Sequence, residues 1–461
     1  MKGIVIIIFT VLFSIVHVQA QNSLEGVWEG GISAPGGSLK VVFKIEQAEG
    51  GYEGTLDIPQ QGAVGLKLNP ISQDGDSVLI VFSAGQVQGT FSGNFESETK
   101  ISGLYSQGGP STPFSVERIA SSTKDPQKPD NETDLIIPNG NIEIGGTLTI
   151  PEGEMNSPLV IMSSGSGAQD RDSNIFDFKI FAVLAQHLAE EGIASFRYDD
   201  RGIGTSSGSF PDATLDDLVS DVNAIINYFK SVADIKFEKF TALGHSQGGI
   251  VAGKIASKRG DIEQLILMGS TAPSLSEILR YQVNLAYENT PVDKALINLE
   301  IDAREGIMKA LVEESSIDEA KQKYIEAYTN VLNNLPEVQK KSIPDISSTA
   351  TNQANQLVSF FGSPQAKSLL FYVPTTDLEK INVSTLVLFG RKDTQVTISQ
   401  NHPKIIEALE KSGTEYEIKV FENANHLFQT ANTGLVNEYP FLAKEFTDSF
   451  LETVSTWIKE N

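Results

Sequence analysis

The sequence predicts an α/β protein: a mainly parallel sheet covered by helices and carrying a helical lid, preceded by a small all-β barrel or sandwich domain. Three observations predict it. Residues 22 to about 120 hold short β-rich runs split by glycine turns. From residue 135 onward, short apolar runs alternate with amphipathic helical patterns. One of those runs, Phe240-Thr-Ala-Leu, leads straight into Gly244-His-Ser-Gln-Gly248 and then a helix-forming stretch. At 461 residues the chain has length for two such domains, each with its own core.

The first twenty residues read as a cleaved secretory signal rather than structure. Lys2 is followed by an apolar run over 4–16 and by Val18-Gln-Ala20, which fits a small-residue cleavage site. That run is short for a bilayer span, so no stable membrane insertion is expected. The chain has no cysteine and therefore no disulfides, which fits export to a bacterial periplasm or exterior. Lys and Arg number 35 against 59 Asp and Glu, a net charge of −24. Nothing then supplies the basic face that phosphate binding needs, and no nucleic-acid partner is expected.

In the β-domain, the runs at 41–45, 52–56, 77–82 and 89–91 fall at the 8–12-residue spacing of a sandwich or barrel. Trp28 reads as a core plug at the end of that domain. Residues 121–134 are polar with two prolines, a linker. The second domain, 135–461, opens with a hairpin at 142–150. Strands follow at 159–162, 193–197, 240–243 and 264–268, with helices at 176–191 and 215–229 between them. Leu215, Leu218, Val222, Ile225 and Phe229 share one helix face, which is core. Between about 272 and 371 the pattern is helical and charged with no strand, the expected lid. The alternation resumes with strands at 384–389 and 416–421, and helices at 403–412 and 441–459.

A serine hydroxyl needs a base to become a nucleophile, and a sharp strand-to-helix turn is one way to present it. Ser246 sits at such a turn, with Gly244 and Gly248 where side chains would crowd the backbone. The chain holds five histidines. His17 lies in the signal, His187 and His402 fall in helices, and the turn aims His245 away from the serine. His426, just past the last strand in Asn423-Ala-Asn-His, is the base that remains. Asp393 follows the preceding strand in the same way and can orient that histidine, giving the order serine, acid, histidine. For the oxyanion, the donors are the backbone N–H groups of Gln247 and of Ser166, in the small-residue loop Ser163-Ser-Gly-Ser-Gly. No phosphate-binding glycine motif follows a strand and no H-E-x-x-H occurs, so neither a cofactor nor a metal is expected.

Taken together, Gly165-Ser-Gly-Ala-Gln-Asp-Arg-Asp172, Arg197-Tyr-Asp-Asp-Arg-Gly-Ile-Gly-Thr-Ser206, Gly244-His-Ser-Gln-Gly248, Gly390-Arg-Lys-Asp-Thr-Gln-Val396 and Asn425-His426 resemble the α/β-hydrolase superfamily. More narrowly they resemble bacterial carboxylesterases of the EstD type, a group similar to serine aminopeptidase-like hydrolases. The resemblance spans about two-thirds of the chain. It implies Ser246, Asp393 and His426 as a triad, Ser166 and Gln247 as the oxyanion hole, and Arg171 and Arg201 as structural partners of nearby aspartates. Many members have His-Gly where this chain has Ser164-Gly165. The expectation is an exported serine carboxylesterase acting on a small-molecule ester, with a short acyl chain. A serine exopeptidase or amidase with the same triad, and a catalytically silent binding protein, are the alternatives. A homo-oligomer is left open.

Overall fold

A computed structural model describes the chain from residue 22 onward, except 35–36, 49, 59–62, 85–86, 108–110, 120–128, 154–157, 232–234 and 289. The segment read as a signal lies outside the described residues. The chain divides into two compact units, residues 1–124 and 125–461.

The first unit is a closed antiparallel barrel of eight strands, each bonded to its sequence neighbours and β8 back to β1. They are β1 (Gly26–Ala34), β2 (Gly37–Ala48), β3 (Gly51–Ile58), β4 (Ala63–Asp74), β5 (Ser77–Ala84), β6 (Val87–Ser97), β7 (Lys100–Ser106) and β8 (Thr112–Ile119). Alternation along each strand turns apolar residues inward. Phe91 is fully buried, with Phe43 and Phe114 edge-on to it at 4.8 and 5.1 Å between ring centroids. Trp28 is buried at the barrel end, its indole N–H donating to the Leu24 carbonyl at 2.8 Å. The Arg118 guanidinium covers its ring at 4.3 Å.

The second unit is built on an eight-stranded sheet. Its strands in chain order are β9 (Glu132–Asn139), β10 (Ile142–Thr149), β11 (Leu159–Ser163), β14 (Ser195–Tyr198), β15 (Phe240–His245), β16 (Ile262–Met268), β17 (Ser384–Gly390) and β18 (Tyr416–Phe421). A separate two-residue hairpin, β12 (Asn174–Ile175) and β13 (Phe178–Lys179), precedes α1. Across the sheet the order is β18-β17-β16-β15-β11-β14-β10-β9. The six strands from β14 to β18 run parallel, and the β9–β10 hairpin closes one edge antiparallel. β9 starts at Glu132, inside the stretch read as linker, because Arg197 holds the Glu132 carboxylate at 2.9 Å.

Helices cover both faces, which is why the central strands are apolar on both sides. α1 (Ile180–Glu190) and α12 (Phe450–Glu460) pack on one face through Phe181, Leu184, Val454 and Trp457. α2 (Leu215–Ser231), α3 (Gln247–Ala256) and α11 (Ile398–Ser412) pack on the other through Ile225, Phe229, Ile255 and Ile405. Between β16 and β17 lie α4 (Leu275–Tyr287), α5 (Lys294–Val312), α6 (Ile317–Asn333), α7 (Glu337–Lys340), α8 (Ile346–Phe361), α9 (Pro364–Leu370) and α10 (Thr375–Leu378). This insertion has apolar clusters of its own, around Ile307, Leu311, Tyr324 and Phe361 and around Ile297 and Val331.

Three helix boundaries differ from the sequence expectation, the helix expected from 403 starting at Ile398. The helix expected from 176 starts at Ile180, since Phe176 and Asp177 take φ values of 52° and 65° in the β12–β13 turn. The last helix starts at Phe450, not 441, because a 3-10 turn over Val436–Phe441 and the left-handed Ser449 intervene.

Candidate active site

Ser246 follows β15 and caps α3, with φ 53° and ψ −118°. A side chain at such a positive φ is strained, and the neighbouring glycines show what fixes it. A Cβ on Gly244 would strike the backbone of Gly248, and one on Gly248 would strike the carbonyls of Ser163 and Ser164. A Cβ on Gly249 would run into the Ser270 side chain, so this glycine sets the closeness of α3 to the end of β16. The Ser246 N–H donates to the Met268 carbonyl at 2.9 Å. Ser246 is thereby held above the carboxyl end of the sheet, at the start of a helix. Gln247 is the first residue of α3, so its N–H is among those a helix leaves without an internal partner.

Asp393 and His426 come from the loops after β17 and β18, at the same end of the sheet. The His426 ring Nδ1 lies 2.7 Å from Asp393 Oδ2, and both side chains are buried. Asp393 Oδ1 accepts the backbone N–H groups of Gln395 and Val396, each at 2.8 Å. The carboxylate can only accept from the ring, so Nδ1 carries the proton and Nε2 is left with a lone pair. The loop of the base is stapled by Asn425, whose Oδ1 accepts the N–H groups of Leu427 and Gln429 at 2.9 and 3.0 Å. The His426 ring lies over Gly269, where a Cβ would come within 3.5 Å of Nδ1. Since the Ser246 N–H is tied to Met268, the preceding residue, the serine and the histidine are neighbours. Among the described residues no hydrogen bond joins Ser246 Oγ to His426 Nε2; such bonds are often long until substrate binds.

The fifth predicted residue, Ser166, is exposed in the loop after β11. Its carbonyl accepts from Gln169 Nε2 at 3.1 Å. Gly165 brings this loop against the nucleophile: a Cβ there would sit 3.5 Å from Ser246 Cβ. All five residues singled out from sequence therefore lie on loops or at a helix start at one end of the sheet, where the Ser246 turn and the Asp393–His426 pair converge. The two arginines hold aspartates. Arg171 makes two bonds to Asp199, at 3.1 and 2.5 Å, and Arg201 makes two to Asp221, at 2.7 and 2.9 Å.

Three residues that sequence reasoning did not assign complete the surroundings. His245 is buried behind the base, its ring centroid 4.8 Å from that of His426. Its Nε2 donates to the His426 carbonyl at 3.0 Å. Burial, with His426 beside it, pushes its pKa down to about 3, so it stays neutral. The Tyr439 hydroxyl stands between the two loops, accepting from Gln395 Nε2 at 3.3 Å and from the His426 N–H at 3.4 Å. Asp200, at the end of β14, is buried beneath the loop of Ser166. The sequence shows the doubled Asp199-Asp200 at a strand end but not its division of labour: both are buried, Asp199 taking the Arg171 guanidinium and Asp200 the loop of Ser166.

Comparison with known proteins agrees with this architecture. The model of the serine aminopeptidase S33 family matches residues 177–306, which hold Ser246. That of the dienelactone hydrolase family matches residues 345–457, which hold Asp393 and His426. Esterase EstD of Thermotoga maritima is 23% identical over 365 residues, covering 79% of this chain and 74% of that protein. A proline iminopeptidase of Mycobacterium smegmatis superposes with a TM-score of 0.43 at 16% identity, over 71% of this chain and 98% of the other. An esterase of Exiguobacterium antarcticum gives 0.41 at 19%, over 71% and 100%. The second unit of the chain has the α/β-hydrolase fold.

Proposed function

We propose that the protein is an exported serine hydrolase that cleaves carboxylic esters of short acyl chains. The observation that carries this reading is Ser246 on its strained turn, beside a histidine whose Nδ1 is engaged 2.7 Å from a buried aspartate. His426 Nε2 takes the proton of Ser246 Oγ as that oxygen attacks the acyl carbonyl. The tetrahedral oxyanion rests on the N–H groups of Ser166 and Gln247. His426 then gives its proton to the departing alcohol. Water, deprotonated by the same histidine, attacks the acyl-enzyme and releases the acid. Export rests on the sequence pattern of residues 1–20.

An exopeptidase would need an anion to hold the free amine of its substrate. Among the described residues, Glu300 is the fully buried carboxylate of the helical insertion, and Arg304 already pairs with it. That favours an ester over a peptide substrate. The test compares turnover of p-nitrophenyl acetate with that of aminoacyl-nitroanilides, with Ser246→Ala as control. Ester turnover that survives Ser246→Ala, or faster cleavage of the anilides, would overturn the reading.

A further inference from the structure

The loop that carries Ser166 is fastened to a single buried carboxyl group. Asp200 Oδ2 accepts the Ser164 hydroxyl at 2.9 Å and the Gln169 backbone N–H at 2.9 Å. The Asp200 N–H returns a bond to the Gln169 carbonyl at 3.0 Å. Gln169 in turn reaches the Ser166 carbonyl with its side-chain amide, so the tether runs from Asp200 to the residue whose N–H is the proposed oxyanion donor. A cavity of about 10 Å³ is lined by Ser164, Gly165, Asp200 and Gln247, so Asp200 and one of the two candidate donors face the same space. The hydroxyl of Ser164, where many resembling esterases have histidine, is thus one end of this clamp.

The groups around Asp200 offer it no cation. Burial raises its pKa most, and the nearby Asp221 and Asp199 carboxylates raise it further. Arg201 and Arg197, the nearest guanidinium groups in sequence, are spent on Asp221 and on Asp172 and Glu132, and Arg171 is spent on Asp199. The Tyr198 hydroxyl donates to Ser163 instead, at 3.1 Å, and Phe210, Leu218 and Val251 make up the rest of the cavity wall. A negative charge placed beneath an oxyanion hole would oppose the charge that develops there in the transition state.

We propose that Asp200 is the positioning residue of the oxyanion loop and that it acts as a neutral carboxylic acid, with Ser164 and Gln169 on Oδ2 and its proton on Oδ1. Burial raises its pKa to about 7, opposed by the two hydrogen bonds, so the neutral form is present through the acid and neutral range. Ionisation above that value adds a charge under the hole and slows acyl transfer. The proposal rests on Ser246 being the nucleophile of an acyl transfer.

The test is the pH dependence of kcat for p-nitrophenyl acetate between pH 5 and 9, in wild type, Asp200→Asn and Asp200→Ala. Wild-type kcat should fall on the alkaline side of about 7. Asp200→Asn mimics the neutral acid, so it should rescue kcat and lose that alkaline fall. Asp200→Ala removes the acceptor, and kcat should drop about 10–100-fold with KM changed less than about threefold. An alkaline fall that persists in Asp200→Asn, or its absence from wild type, overturns the neutral-acid role. Full kcat in Asp200→Ala overturns the positioning role. Amide exchange at Gln169 gives a readout that needs no turnover: it should speed up in Asp200→Ala, and unchanged protection refutes the clamp. Failure of the functional reading shows separately, as an unmodified Ser246 after treatment of wild type with a fluorophosphonate.

Discussion

Two aspartates flank the candidate nucleophile and are used in opposite ways. Asp393, on the side of the base, spreads three donors over two oxygens, two of them backbone N–H groups. Asp200, on the side of the oxyanion, receives two donors on one oxygen and has two anions for neighbours. Three donors surround the first, and burial without a cation surrounds the second. What a carboxyl group does at such a site is decided by who donates to it, not by its distance in sequence from the nucleophile.

The contrast can be broken from several directions. The largest effect belongs to Ser246→Ala, which should lower kcat about 10⁶-fold and abolish fluorophosphonate labelling. Next is Asp393→Asn, with an expected loss of about 10⁴-fold. An amide there can donate to Nδ1, which favours the wrong histidine tautomer while the shape is preserved. A loss below tenfold would mean that Asp393 does not orient the base. The smallest and most selective effect concerns stability. Between the unfolded aspartate value, about 3.9, and its folded value of about 7, native Asp200 holds a proton that the unfolded chain has shed. Each step up in pH therefore costs the wild type stability until about 7, and Asn does not titrate. The Tm of Asp200→Asn minus that of wild type should grow from pH 4 to 7 and then level off. A difference constant with pH would show that Asp200 is not neutral. His245 has the opposite sign, losing stability as the pH falls from the usual histidine range toward 3, but both proteins share it and it cancels in the difference.

Much of this molecule could be read along the chain, because the cues were local. A strand, two glycines and a helix identify Ser246, and the chain order of its partners follows from the order of parallel strands. The β-rich runs gave a barrel or sandwich, and closure of β8 onto β1 settles it as a barrel. What escaped were residues whose roles depend on contacts distant in sequence. The Tyr439 hydroxyl braces a histidine and a glutamine from a 3-10 turn that carries no periodicity. Asp200 meets Ser164 across 36 positions. Pro403 was taken to open its helix, whereas α11 begins at Ile398 and carries the proline inside. There Asn401 bonds the Thr397 carbonyl at 2.8 Å and accepts from Ala272 at 3.0 Å, support that a propensity argument does not see.

The strand order also has a thermal side. β15, which presents Ser246, lies between β11 and β16, while β18, which leads to His426, is one of the two edge strands and pairs with β17. Edge segments open at lower free energy than the centre of a sheet. On warming, β18 should loosen before the central β15 and carry the histidine out of register while the serine stays seated. Activity would then fade, reversibly, below the temperature at which circular dichroism reports loss of the fold.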